Sequence, residues 1–467
     1  MSDDAPTPRA TLAEKVRRLQ GPILVLGASG FVGANLMRSL IALRGDVYGT
    51  TTRKPAWRLE DLPDDHVRMV DLLIDSNLDA LLALVQPRSI FNCVAYGAYS
   101  FETESQLIYR TNFHFTTRLL ARLETSPLAC YVHAGSSSEY GDNAAGPAEH
   151  AILAPNSDYA VSKTASAQLI HFYGKRKRFP CANLRLYSVF GPLEDSSRLI
   201  PNVIRHGVQG QYPEFVNPDV SRDFIFTEDV TEAFVDTALN LTPTDYGGSF
   251  NIGTGRKTTI REVAETARDL FGIAAEPSFT MPERQWDVQD WYANIEKARS
   301  RLEWEPRTSF REGLKQTMAW YQMLPDKERY QKSSKKYGLD IVYSVSAVVA
   351  CYEDVQAIPI LYERLKATFT KLNIDFEIIF VNECSQDNSE EAIRAISRID
   401  RRVVGITHSR SFGPPAAFRS GMDIASKNSC VLLYANLMDP PELIEQFVAQ
   451  WRSGYDVVFG KRDNPDA

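Results

Sequence analysis

Ile23-Leu24-Val25-Leu26-Gly27-Ala28-Ser29-Gly30-Phe31-Val32-Gly33 is the stretch that decides the fold. Four apolar residues run into three glycines at Gly-x-x-Gly-x-x-Gly spacing, and a helical apolar pattern follows. Gly27 permits a tight turn, Gly30 lets the backbone approach a pyrophosphate, and Gly33 lets the helix lie close to the strand. Ser29, Phe31 and Val32 complete the turn that would hold that pyrophosphate. The free N–H groups and dipole at the helix start favour negative charge there.

Working outward, short apolar runs alternate with longer helical stretches. Asp46–Thr50, Val67–Val70, Ser89–Val94, Cys130–Ala134 and Cys181–Leu186 read as buried parallel strands. Such strands are apolar nearly throughout because helices cover both sheet faces. The expected fold is therefore α/β, a Rossmann-type doubly wound parallel sheet with a small α/β substrate subdomain. Residues 1–20 read as a polar tail with a short helix. Residues 21–322 read as the first domain, its cofactor part about 21–185 and its substrate part about 186–322. The polar, basic run from Leu324 to Tyr337 reads as a linker within 323–340, and a second α/β region occupies 341–467.

Composition narrows the function. At 467 residues the chain is long enough for two or three domains. A net charge of −7 supplies no basic face, so neither nucleic acid nor a membrane surface is an expected partner. No apolar run approaches the ~20 residues that span a bilayer. With no signal-peptide pattern at the N-terminus, a cytoplasmic location is expected. Six cysteines without CxxC spacing read as reduced core residues, and the histidines form no HxxxH pair, so no metal is expected.

The cofactor turns on the end of the second strand. An NAD site wants an acid ~20 residues past the glycines, bonded to the ribose 2′-hydroxyl. Here Thr51-Thr52-Arg53-Lys54 offers two cations and no acid, so Arg53 and NADP(H) are favoured, with NAD(H) possible. Further on, Tyr159 and Lys163 lie four apart on one helical face, and the strand before them ends in Ser136-Ser137-Ser138-Glu139-Tyr140-Gly141.

Gly27/Gly30/Gly33, Asp71-Leu72, Asn112, Ser136, Tyr159/Lys163, Arg185, Gly191-Pro192 and Arg222-Asp223-Phe224 occur in the order of the extended short-chain dehydrogenases/reductases. Residues 21–322 resemble the nucleotide-sugar epimerase/dehydratase branch of that family. The resemblance implies that Tyr159 is the acid/base, that Lys163 holds the tyrosinate and the nicotinamide ribose, and that Ser136 polarises the reacting oxygen. It places Asp71, Leu72, Ala95, Tyr96 and Asn112 along the cofactor. Ser137, Ser138, Arg222 and Arg284 fall to a nucleotide diphosphate sugar, the two arginines clamping its diphosphate. Sugar 4,6-dehydratases carry a glutamate base where this chain has Ser138, which disfavours water elimination. A 4-keto-sugar reductase making an activated deoxysugar for surface-polysaccharide glycosylation is the leading reading, with an epimerase or dehydratase as alternatives. A non-catalytic nucleotide-sugar-binding scaffold is the reading of another class. The resemblance also implies a homodimer through a four-helix bundle. The helix carrying Tyr159 would expose Ala160, Ala165, Ala167 and Leu169 to its partner.

From Val345 the chain resembles the family-two glycosyltransferases of the dolichol-phosphate-sugar synthase type. Tyr352-Glu353, Asn382-Glu383-Cys384-Ser385-Gln386-Asp387, Ser411-Phe412-Gly413 and Asp439-Pro440-Pro441-Glu442 carry that likeness. The metal-holding Asp-x-Asp is replaced by Tyr434-Ala435-Asn436, and the acceptor-binding half is not included. A partial, GT-A-like domain without transferase activity is expected.

Overall fold

A computed structural model describes residues 10–334 and 344–460, apart from positions 53, 55, 100, 283–287, 373, 453, 454 and 456. The chain forms two units, divided after Gly338.

In the first unit, helix α1 (Leu12–Arg18) precedes β1 (Ile23–Leu26), α2 (Phe31–Ile41), β2 (Val47–Thr51), β3 (Val67–Met69), α3 (Asp75–Val85) and β4 (Ser89–Asn92). Next come α4 (Ser105–Tyr109), one π-helical turn at Arg110–His114, α5 (Phe115–Leu123), β5 (Cys130–Ser136), α6 (Asp158–Lys177) and β6 (Cys181–Leu186). Strand β1 shows why the runs read as buried. Ile23 and Val25 pack on one side of the sheet with Leu36 of α2, whereas Leu24 and Leu26 pack on the other with Leu78, Leu119 and Ile170. The two-residue period of a strand feeds both helical layers.

The substrate lobe adds β7 (Ser188–Phe190), α7 (Leu199–Gly207), β8 (Ser221–Arg222), β9 (Phe224–Phe226), α8 (Thr227–Asn240), β10 (Gly248–Ile252), β11 (Thr258–Thr259) and α9 (Ile260–Phe271). Helices α10 (Glu296–Leu302), α11 (Phe310–Met323) and α12 (Lys327–Lys332) complete it. Strand β10 returns to the main sheet, whose seven parallel strands run β10-β6-β5-β4-β1-β2-β3. Phe190, Phe224 and Phe226 centre the lobe's own core with Ile204, Val263 and Leu314.

The short helix expected within residues 1–20 is present as α1. Helix α1 opens on a Thr11/Glu14 capping box, and its Lys15 is buried against Asp236 of α8 at 2.8 Å. The expected linker begins instead as helix α12. Tyr330 is buried there among Trp57, Trp320 and Tyr321, and its hydroxyl donates to Glu194 O at 2.7 Å. Ser334 donates to Asp195 Oδ1 at 2.7 Å. One aromatic in a charged stretch gives no periodicity to read, yet it anchors the segment.

The second unit begins at β12 (Ser344–Cys351) and continues through α13 (Ala357–Leu372), β13 (Asp375–Asn382), α14 (Ser389–Ile399), β14 (Val403–Thr407), α15 (Pro414–Ile424), β15 (Ser429–Tyr434) and α16 (Ile444–Arg452). Its four parallel strands run β14-β13-β12-β15.

Candidate active site

The glycine-rich turn closes β1 onto α2. Gly27 has φ +72°, and Gly30 N donates to Gly27 O at 3.0 Å. A Cβ on Gly33 would stand 2.3 Å from Gly27 O, so only glycine lets the helix sit this close. Gly30 caps α2 without a side-chain bond, leaving the first-turn N–H groups around Ser29, Phe31 and Val32 for an anion. These features fit a dinucleotide pyrophosphate. Thr50 Oγ1 accepts from Gly27 N at 2.9 Å and fastens the turn to β2. Arg53 lies outside the described residues, and its neighbour Lys54 pairs with Asp64 at 2.6 Å. Asp71 is exposed just past β3, accepting from Leu73 N, with Leu72 buried beside it.

Asn112 sits in the π turn, an insertion frequent at functional sites. Its Oδ1 accepts from Tyr96 N at 2.9 Å, while its Nδ2 donates to Tyr96 O and to Ser162 Oγ. It thereby ties the Ala95-Tyr96 loop to α6, a positioning role.

Ser136 ends β5, and Ser157 caps α6 by accepting from Ala160 N, so Tyr159 and Lys163 project from its first two turns. Burial pushes the Tyr159 phenol up to about 12, against a hydrogen bond shared with Ser136 and the charge of Arg198. Burial also lowers the Lys163 ammonium to about 8, although Glu139 and Cys93 oppose it. Lys163 Nζ donates to Ala134 O at 2.9 Å and stands 5.9 Å from the Tyr159 ring centroid. The structure thus brings Ser136, Tyr159 and Lys163 together.

Glu139 is fully buried. It accepts from Ser136 N at 3.0 Å and from Arg185 Nε at 2.7 Å, and Asn183 donates to it as well. The carboxylate is tolerated at a fully buried position because Arg185, also buried, neutralises it. Ser137 is buried and Ser138 half-buried; Ser138 N donates to Ser136 Oγ.

Arg222 lies on β8 with Nη1 donating to Ser221 O and Val288 O, its guanidinium 5.4 Å from the Trp291 ring. Asp223 turns away from it to accept from Thr254, Gly255 and Ala293. A local Arg222–Asp223 ion pair is therefore not what holds either residue. Arg284 lies outside the described residues.

Sequence reasoning missed the polar run from Glu194 to Arg198, which follows Gly191-Pro192-Leu193. Arg198 lies 4.8 Å from the Tyr99 ring and acts electrostatically on Tyr159. Arg58, buried, donates to Leu193 O and Ser29 O, joining this run to the glycine-rich turn. Five consecutive polar residues after Gly-Pro-Leu were the available signal.

This arrangement has relatives. Residues 23–253 match the NAD dependent epimerase/dehydratase family. The first domain belongs to that family. Residues 346–467 match glycosyl transferase family 2, so the epimerase/dehydratase domain is fused to a second enzyme fold. A trifunctional UDP-glucose 4,6-dehydratase/UDP-4-keto-6-deoxy-D-glucose 3,5-epimerase/UDP-4-keto-L-rhamnose-reductase of Arabidopsis thaliana is 28% identical over 330 residues, covering 65% of this chain and 47% of the plant protein. An uncharacterized glycosyltransferase of Bacillus subtilis is 42% identical over 122 residues, 26% of this chain and 37% of that protein. The chain thus spans half or less of each. Among solved structures, MoeE5 in complex with UDP-glucose and NAD matches with TM-score 0.56 and 28% identity, covering 65% of this chain and 99% of that one.

In the glycosyltransferase-like unit the family signatures gather at the carboxyl ends of the strands. Asn382 Oδ1 accepts from Ser385 N and Oγ, and Asp387 accepts from Val355 N. Glu383 accepts from Phe412 N and Gly413 N, both at 2.7 Å, from Ser411 Oγ, and stands 2.5 Å from His408 Nδ1. Asn436 Oδ1 accepts from Met438 N. Among the described residues no three acids, histidines or cysteines gather as a metal site. No described helix is long and apolar enough to cross a membrane.

Proposed function

We propose that the epimerase/dehydratase domain is a nicotinamide-dependent oxidoreductase of a nucleotide diphosphate sugar, and that its reaction is reduction of a 4-keto group. The observation that carries this is the Ser136–Tyr159–Lys163 cluster at the carboxyl end of β5, beside a turn fitted to pyrophosphate. Bound nicotinamide supplies the hydride. Tyr159 hands its proton to the sugar oxygen, Ser136 orients that oxygen, and the Lys163 ammonium stabilises the tyrosinate left behind. Burial pushes the phenol up to about 12. The positive charge that this chain supplies for proton release is the Lys163 ammonium.

Water elimination is disfavoured by geometry as well as by Ser138. The nearby acid, Glu139, is committed to Arg185 and Ser136 N and is no free base. The absence of an acid at 51–54 supports exchangeable NADP(H). A second reading, epimerisation with retained NAD, is favoured by Lys54 being engaged with Asp64 and by the NAD held in MoeE5. Purified protein incubated with NADPH and a panel of nucleotide 4-keto-6-deoxy sugars separates the readings. Stoichiometric loss of nicotinamide absorbance supports the reductase. Inversion of a nucleotide 4-hydroxy sugar in a parallel incubation, without net absorbance change, replaces it with the epimerase.

For the glycosyltransferase-like unit the proposal is nucleotide-sugar binding or packing without transfer. Glu383 Oε2 is taken up by the backbone and Ser411 and its Oε1 lies against His408, and Asn436 cannot neutralise a divalent cation. Mn²⁺ with a UDP-sugar should leave the melting of this unit unshifted, whereas a ligand at 100 times its Kd would add ~2.7 kcal/mol. A large Mn²⁺-dependent shift would sink the proposal.

A further inference from the structure

At the open β10 edge of the main sheet lies a cavity of about 430 Å³ that the dinucleotide and sugar chemistry does not use. Its size falls within the ~300–1,000 Å³ of small-molecule sites. The C-terminal half of α6 forms one wall, through Gln168, His171 and Lys175. Lys297 of α10 and Ser249 of β10 form another, and Arg185 reaches it from β6. Lys175 lies sixteen residues beyond Tyr159 on the same helix, about 24 Å at 1.5 Å per residue. A molecule bound there does not reach the reacting carbon.

Cations outnumber acids in this cavity, Lys175, Lys297 and Arg185 against Glu149 and Asp245. Lys175 Nζ donates to Thr244 O and Lys297 Nζ to Ser249 O, each at 2.8 Å. Both partners are neutral carbonyls, and an ammonium has three donors. The two acids in the wall are occupied elsewhere. Asp245 takes a two-pronged bond from Arg301, and Glu149 Oε1 accepts from Asn251 N. Arg185 adds a third cation, almost fully buried, bonded to Glu139, Tyr140 and Glu149 O. Burial pushes the Lys297 ammonium below its usual value, and Arg185 and Lys175 push the same way against Glu149 and Asp245. Lys297 is half-buried and Lys175 exposed, so the desolvation cost falls on Lys297, and an anion between the two ammoniums relieves it.

We propose that this cavity binds a small sugar phosphate, its phosphate held between Lys175 and Lys297 and its hydroxyls facing Gln168 and His171. The phosphate gains two charge-assisted partners without displacing an existing ion pair. The volume left beyond the cations is too large for inorganic phosphate alone.

The test titrates the full chain, saturated with NAD and UDP so that nucleotide sites are filled, with glucose 1-phosphate by calorimetry at constant ionic strength. Saturable binding is expected, weakened about tenfold or more in a Lys175→Gln/Lys297→Gln variant that still binds NAD normally. Gln168→Trp, which fills the cavity and leaves the lysines in place, should lose the binding too and serves where the double variant misfolds. Undiminished binding in either folded variant, or none in the wild type, overturns the proposal. Inorganic phosphate binding as tightly as glucose 1-phosphate overturns the sugar-phosphate assignment.

Discussion

At the scale of single residues, Tyr159 and Lys163 are set against ordinary solution behaviour by burial, and each makes a distinct prediction. Tyr159→Phe keeps the ring and removes the proton, so turnover should fall by about 10²-fold or more while NAD(P) binding survives. Retention of over a tenth of the activity, about 1.4 kcal/mol of barrier or less, would remove Tyr159 from the acid role. Lys163 titrates near 8 when folded against an ordinary 10.5. Between those values the unfolded chain holds more protons than the folded one, so stability rises with pH across that window. Buried cysteines and tyrosines titrate in both proteins, so the difference in denaturant midpoint between wild type and Lys163→Met, measured from pH 7 to 10.5, should move in favour of the wild type as pH rises. Glu139→Gln strands the buried Arg185 charge and should cost about 3 kcal/mol. Its turnover should stay within about tenfold of wild type. Abolished activity in a folded Glu139→Gln protein would overturn a purely structural role for Glu139.

Elements were legible where one physical signal was strong. The six strands β1–β6 announce themselves as apolar runs because both sheet faces are covered, and Gly33 is legible because nothing larger fits against Gly27. Glu139 and Arg185 were not, since a buried pair reads as two unrelated charges until the fold brings β6 beside the turn after β5. The outward face of α6 was also misjudged. Ala160 and Ala167 are buried within the unit, whereas Val161 and Phe172 are the exposed apolar residues. Helix α12 was missed because its stability comes from one aromatic finding a distant aromatic nest. Tyr330→Ala should therefore cost about 3 kcal/mol in denaturant unfolding, and Tyr330→Phe, losing only the bond to Glu194 O, about 1 kcal/mol. Equal, negligible effects of the two would mean that α12 is not an integral part of the lobe.

For the whole molecule, the same exposed side chains motivate a proposal of two-fold pairing through α5 and α6. Val161 and Phe172 on α6 form a surface that a second copy of that helix pair would cover. Sedimentation at micromolar concentration should give a dimer, and Phe172→Glu should shift it toward monomer without loss of fold. A wild-type monomer under those conditions rejects the pairing. The two units keep separate apolar cores, each built around its own parallel sheet. Helix α12 adds a constraint on ancestry. Any gene fusion that joined a glycosyltransferase to this epimerase/dehydratase had to leave the message intact through the codon for Ser334. A crossover ten residues earlier would have inherited the catalytic residues together with an open aromatic socket around Trp57 and Trp320. Shuffled descendants of this fold should therefore share their breakpoints after the last helix, beyond where the recognisable motifs stop.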